Sequence, residues 1–121
     1  MMKSILVIED NAVAADVYRS TLAREGYRVE VARDGQAGIE ALDRARPDLV
    51  LLDLMLPKVN GVDVLRHIRA TRGDIPVVIT SNAITNERME EIWAAGVTQV
   101  LSKANSSPKE VARLVKQLLA G

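Results

Sequence analysis

Three stretches of the chain are continuously apolar: Ile5-Leu6-Val7-Ile8, Leu49-Val50-Leu51-Leu52 and Pro76-Val77-Val78-Ile79. Two others are not, since Arg28-Val29-Glu30-Val31-Ala32 alternates and Thr98-Gln99-Val100-Leu101-Ser102 mixes polar with apolar positions. Together these runs predict strands near 4–9, 28–32, 49–53, 76–80 and 98–102, separated by helical patterns near 12–25, 35–45, 62–71, 86–95 and 108–119. Five strand-then-helix repeats imply parallel strands joined by crossover helices. A strand covered on both faces reads as an unbroken apolar run, and an edge strand keeps polar residues. The second and fifth strands are therefore expected at the edges. The fold class that follows is α/β, a flavodoxin-like (βα)5 doubly wound parallel sheet with strand order 2-1-3-4-5 and a topological switch point between strands one and three. Turn residues Gly26, Gly35, Gly61, Gly73, Gly96, Pro47, Pro57 and Pro76 fall between the elements. The last helix has the clearest start: Ser107 as N-cap, Pro108 in the first position and Glu110 closing a capping box, with Val111, Leu114, Val115 and Leu118 on one face.

Length and composition narrow the chemistry. The 121 residues suit one domain, and 16 basic residues balance 16 acidic ones, which gives no reason to expect nucleic acid or a membrane as partner. There is no cysteine and one histidine, His67, so a thiolate or zinc site is excluded and any metal must be held by oxygen. His67, among Arg66 and Arg69, reads as a surface residue. No signal-peptide pattern opens the chain and no apolar run nears the ~20 residues needed to span a bilayer, so a cytoplasmic location is the default expectation.

Ligands in open α/β sheets bind beyond the carboxyl ends of the strands. Strand one ends there in Glu9-Asp10, strand three in Asp53, strand four in Thr80-Ser81, and strand five leads to Lys103. Two carboxylates about 5 Å apart repel by roughly 3 kcal/mol at an effective dielectric constant of 20. Three of them require a cation or a raised pKa, and a hard divalent ion such as Mg²⁺ suits a sparse oxygen site. A nucleotide-binding fold would instead carry a glycine-rich loop after strand one, where this chain has Glu9-Asp10-Asn11-Ala12-Val13-Ala14.

Over its whole length the chain resembles the receiver domain of bacterial two-component response regulators. The motifs that carry the likeness are VIEDN, LVLLDLMLPKVNG, IPVVITSNA and the lone Lys103, in that order and spacing. The resemblance implies that Asp53 accepts a phosphoryl group from a sensor histidine kinase or a phosphotransfer protein. It also implies that Asp10, Asp53 and the backbone carbonyl of Met55 bind Mg²⁺ (or Mn²⁺), with Glu9 assisting through water. Ser81 takes the switch-hydroxyl position, with Thr80 as the competing hydroxyl and the backbone of Asn82 beside it, and Lys103 supplies the ammonium. Receivers of this kind catalyse only their own phosphorylation and dephosphorylation, and residues 1–121 read as a single one, stand-alone or excised from a longer protein.

Four positions depart from the family pattern. Ala104 follows Lys103 where a cis proline is usual, Asn82 replaces a small residue, and Val100 stands where an aromatic switch residue is expected. Met55 is apolar where some relatives carry an amide or acid that can orient the attacking water, so slow dephosphorylation is expected. Met89, Trp93 and Val97 recur every four residues, and with Val100 they form the expected output surface of helix four, strand five and helix five, open to a downstream effector protein or a second copy. The departures at Ala104, Asn82 and Val100 also admit an alternative: a pseudo-receiver acting as a phosphorylation-independent interaction module. An aspartyl-intermediate phosphohydrolase ranks lower, because Met55 occupies the place of its acid.

Overall fold

The computed structural model describes residues 2–82 and 84–120. Among the described residues ten elements alternate: β1 (Ser4–Ile8), α1 (Ala12–Arg24), β2 (Arg28–Ala32), α2 (Gly35–Ala45), β3 (Leu49–Asp53), α3 (Gly61–Arg72), β4 (Val77–Ser81), α4 (Asn86–Ala94), β5 (Gln99–Ser102) and α5 (Pro108–Leu119). The sheet is wholly parallel in the order β2-β1-β3-β4-β5. Every residue of β3 and β4 is buried, whereas β2 and β5 are mostly half-exposed. The unbroken and mixed runs of the sequence thus correspond to central and edge strands.

Side-chain alternation divides the core into two layers. Leu6, Ile8, Val50, Leu52, Val77 and Ile79 face α2, α3 and α4, meeting Leu42, Leu65, Ile68 and Ile92. Ile5, Val7, Leu49, Leu51 and Val78 face α1 and α5, meeting Tyr18, Leu22, Val111 and Val115. Burying one such Leu, Ile or Val contributes about 1.5–3 kcal/mol, so the central strands are the anchored part of the molecule.

Polar side chains set the helix boundaries. Asn11, Asp34, Asn60, Thr85 and Ser107 each accept a backbone N–H three residues on, and Ser107 with Glu110 forms the full capping box. At the far end of the sheet, Arg69 donates to the carbonyls of Gly73, Gly96 and Ile75, tying α3 to the turns before β4 and β5. His67 is not a free surface residue. It is half-buried, with Nε2 3.5 Å from Asp43 Oδ1 between α3 and α2.

One glycine fixes the loop after β3. A Cβ on Gly61 would lie 2.7 Å from the Leu54 Cα and carbonyl oxygen and 2.8 Å from the Asp53 oxygen, all backbone atoms, while the Gly61 N–H donates to the Leu54 carbonyl at 3.1 Å. Gly61→Ala must therefore push the loop off its seat, at an expected cost of about 1–3 kcal/mol in urea denaturation. A loss below about 0.5 kcal/mol, the range of ordinary surface changes, would show that the loop yields freely.

Candidate functional site

Each strand of the site continues its ladder one bond beyond its last residue. The Glu9 N–H donates to the Ala32 carbonyl at 2.9 Å, Leu54 N–H to Thr80 at 3.1 Å and Lys103 N–H to Ser81 at 2.9 Å. Glu9, Asp53 and Lys103 are consequently held as strand residues, although two of the three elements have formally ended. The Asp53 carboxylate is also oriented locally: its Oδ1 accepts the Met55 N–H at 3.2 Å. Glu9 Oε2 likewise accepts the Asn11 N–H at 3.1 Å.

The side chains converge. Lys103 Nζ lies 2.5 Å from Glu9 Oε1 and 3.3 Å from Asp53 Oδ2. Both acids are almost wholly buried, at 1% and 5% exposure. Asp10 is exposed, and Glu9, Asp10 and Asp53 each offer a carboxylate oxygen within 4.8 Å of the others. An open pocket of about 380 Å³ is lined by these three acids with Asn11, Met55, Ser81, Asn82 and Lys103. Three carboxylates against one ammonium leave a formal charge of −3 + 1 = −2 at a solvent-open, all-oxygen site. That donor set and charge fit a hard divalent cation such as Mg²⁺.

Burial pushes the Asp53 carboxyl up to about 6 from its ordinary 3.8, with the neighbouring Glu9 charge adding to the rise and the Met55 N–H and Lys103 opposing it. For Lys103 burial alone would lower the pKa, but hydrogen bonding and charge from Glu9 and Asp53 outweigh it and hold the ammonium above its ordinary value.

The two candidate hydroxyls separate by strand alternation. Ser81 lines the acidic pocket, whereas Thr80 is on the other face of the sheet, toward α1, close enough to the Tyr18 phenol to act on it. Burial raises the Tyr18 pKa, and Lys103, Glu9 and Asp53 are close enough to act on it. Tyr18 was not singled out from sequence. Nor was Arg33, which follows β2 and donates through Nε to the Glu9 carbonyl at 3.1 Å and through Nη2 to the Asp10 carbonyl. Neither has a motif, and only the packing of α1 on the sheet and of the loops around Arg33 reveals them.

The expected output stripe holds only in part. Trp93 is 51% exposed and Met89 is half-buried, but Val97 is buried at 6%. The four-residue spacing lapses because α4 ends at Ala94 and Gly96, at φ +96°, turns Val97 into the core. Val100 is half-buried against the same cluster. No cis peptide bond occurs among the described residues, so Lys103–Ala104 is trans.

A parallel (βα)5 sheet with an acidic pocket beyond its carboxyl edge is the architecture of a receiver domain, and comparison with known proteins agrees. Residues 5–116 match the response regulator receiver domain, so the chain belongs to that family of two-component signalling proteins. It is 34% identical over 111 residues to the response regulator MprA of Mycolicibacterium vanbaalenii, covering 91% of this chain and 48% of that protein. The chain spans about half the length of the curated relatives it matches. Among solved structures, a CheY-like receiver domain from Methanospirillum hungatei superposes with a TM-score of 0.94 at 23% identity, covering 99% and 95% of the two chains, and shares the fold. The BeF3-activated DrrB receiver domain superposes at 0.90 with 25% identity over the whole of both chains. No described helix is long and apolar enough to cross a membrane.

Proposed function

We propose that the chain is a phosphorylation-driven switch, with Asp53 as the phosphoacceptor and a sensor histidine kinase or phosphotransfer protein as donor. The observation that carries this reading is the meeting of Glu9, Asp10, Asp53 and Lys103 at one open pocket. With a carboxyl pKa of about 6, Asp53 is mostly ionised above neutrality and available as a nucleophile. A carboxylate oxygen of Asp53 forms a bond to phosphorus in line with the breaking bond to the donor histidine nitrogen, and the imidazole leaves. Asp10, Asp53 and the Met55 carbonyl would hold Mg²⁺ (or Mn²⁺), with Glu9 acting through water. The cation supplies charge neutralisation at the phosphoryl oxygens. Lys103, already between Glu9 and Asp53, turns to a phosphoryl oxygen, and Ser81 with the Asn82 backbone contributes hydrogen bonds at the pocket's rim.

The output lies at α4 and β5. Helix α4 has nine residues and one buried side chain, Ile92, so it is the least anchored helix and the readiest to respond to the loop after Ser81. With Val100 in place of an aromatic residue, the response is aliphatic repacking against the core, read on Met89 and Trp93 by an effector or a second copy of the chain.

Incubation with acetyl phosphate and Mg²⁺, followed by intact-mass spectrometry, is expected to give one phosphate adduct. Asp53→Asn and metal-free samples should give none. An adduct that persists in Asp53→Asn would move the acceptor elsewhere, and no adduct from donor or cognate kinase would overturn the reading. Beryllium fluoride, the ligand named for the DrrB receiver domain, provides a stable second probe. Once formed, the adduct is expected to outlast minutes, because Met55, with its side chain 63% exposed beside the pocket, cannot orient water. Decay within seconds would contradict that assignment of Met55.

A further inference from the structure

The loop that carries Glu9 and Asp10 has no covalent reason to hold its shape. Asp10 and Asn11 are exposed, and the chain must pass from buried strand to helix within three residues. Its carboxylates repel one another, so left to itself the loop would splay. What opposes this comes from the next crossover. The planar guanidinium of Arg33 sits behind the loop and donates to the carbonyls of both Glu9 and Asp10. A planar fork of donors fixes direction as well as distance, which a single ammonium cannot do. With both carbonyls held, Glu9 Oε2 meets the Asn11 N–H and Glu9 Oε1 meets Lys103.

The same turn grips the other ligand-bearing loop. Asp34 caps α2 through Ala37 and lies 3.4 Å from Lys58 Nζ, and the Gly35 N–H donates to the Pro57 carbonyl at 3.3 Å. Arg33-Asp34-Gly35 therefore spans the β1–α1 loop and the β3–α3 loop, the two segments between which a cation would sit.

We infer that Arg33 is a positioning residue for the divalent-cation site, acting through the backbone of Glu9 and Asp10. The inference rests on the metal-site reading above. Its sign separates it from simple electrostatics. Removing a positive charge near an acidic site should by itself tighten cation binding, whereas removing a brace should weaken it.

The test is Mn²⁺ binding to the full chain, followed by electron paramagnetic resonance, with hydrogen exchange of the Asn11 amide in metal-free protein as a second readout. Supporting groups around metal ligands typically contribute 10–100-fold to affinity. Arg33→Ala is expected to weaken Mn²⁺ about tenfold and to speed Asn11 exchange. Arg33→Lys, which keeps the charge but loses the fork, should fall between it and the unaltered protein, and it serves alone if Arg33→Ala does not fold. Unchanged or tighter Mn²⁺ binding in the variants overturns the inference, whatever happens to the melting temperature. If the unaltered protein binds no Mn²⁺, the metal-site reading fails and the role of Arg33 toward a cation fails with it. Asn11 exchange then reports separately whether the brace exists.

Discussion

Lys103→Met is expected to lower the stability of the metal-free protein by about 2–4 kcal/mol at pH 7.5. The substitution keeps an unbranched side chain one atom shorter and removes its charge, leaving Glu9 and Asp53 facing each other without a counter-ion. Removing one partner of a buried ion pair typically costs 3–5 kcal/mol. Here Lys103 is 18% exposed and Asp53 can take up a proton, so the expected loss is set about 1 kcal/mol below that range. Urea denaturation in the presence of a chelator measures it. Saturating Mg²⁺ should return part of the loss, since a ligand that binds only the native state stabilises in proportion to the logarithm of its concentration over its dissociation constant. A loss under about 1 kcal/mol, the scale of exposed ion pairs, would show that the ammonium is solvated rather than structural.

Asp53→Asn should act in the opposite direction. The folded protein holds the Asp53 proton up to about pH 6, while the unfolded chain releases it near 3.8. Between those values the native state binds more protons than the unfolded state, so this group's contribution makes stability fall as pH rises. At about 1.4 kcal/mol per pH unit the full shift is worth roughly 3 kcal/mol, reduced to about 1–3 kcal/mol for the solvent that reaches the pocket. Asparagine does not titrate. The variant should therefore match the unaltered protein near pH 3.5 and exceed its metal-free stability by that margin above pH 6, while losing every trace of the phosphate adduct. Equal stability at both pH values would mean that Asp53 ionises freely. Combining Asp53→Asn with Lys103→Met should recover much of what the lysine substitution loses, because the two residues touch and their effects cannot be additive.

Much of this site is legible in the sequence, for a physical reason. A parallel sheet delivers every strand's C-terminal residue to one rim, so once Ile5–Ile8, Leu49–Leu52 and Val77–Ile79 were recognised as central strands, Glu9, Asp53 and Ser81 had to share it. Lys103 followed from the end of the fifth strand. The positions that escaped are those whose role depends on partners without a side-chain signature. Arg33 binds carbonyl oxygens, which every residue has, and its position after an edge strand looks like an ordinary solvated charge. Tyr18 carries no signal in the sequence, and its approach to Thr80 depends on how α1 is rotated against the sheet. Val97 was misplaced because a regular helical spacing was carried three residues beyond the point where α4 stops. His67 was given to the surface from its charged neighbours, although α2 packs beside it.

The sheet's all-parallel pairing also has a consequence in time. Ile5 pairs with Leu49, and Glu9 waits for Lys103, 103 − 9 = 94 residues later in the chain. At roughly 5–20 residues per second on the ribosome, the acid is synthesised about 5–20 s before the cation that neutralises it. An early collapse of β1 against β2 and β3 would bury Glu9 with no ammonium beside it. The growing chain is therefore expected to keep the end of β1 hydrated and protease-accessible until β5 has emerged, so that the last strand made is the one that closes the molecule.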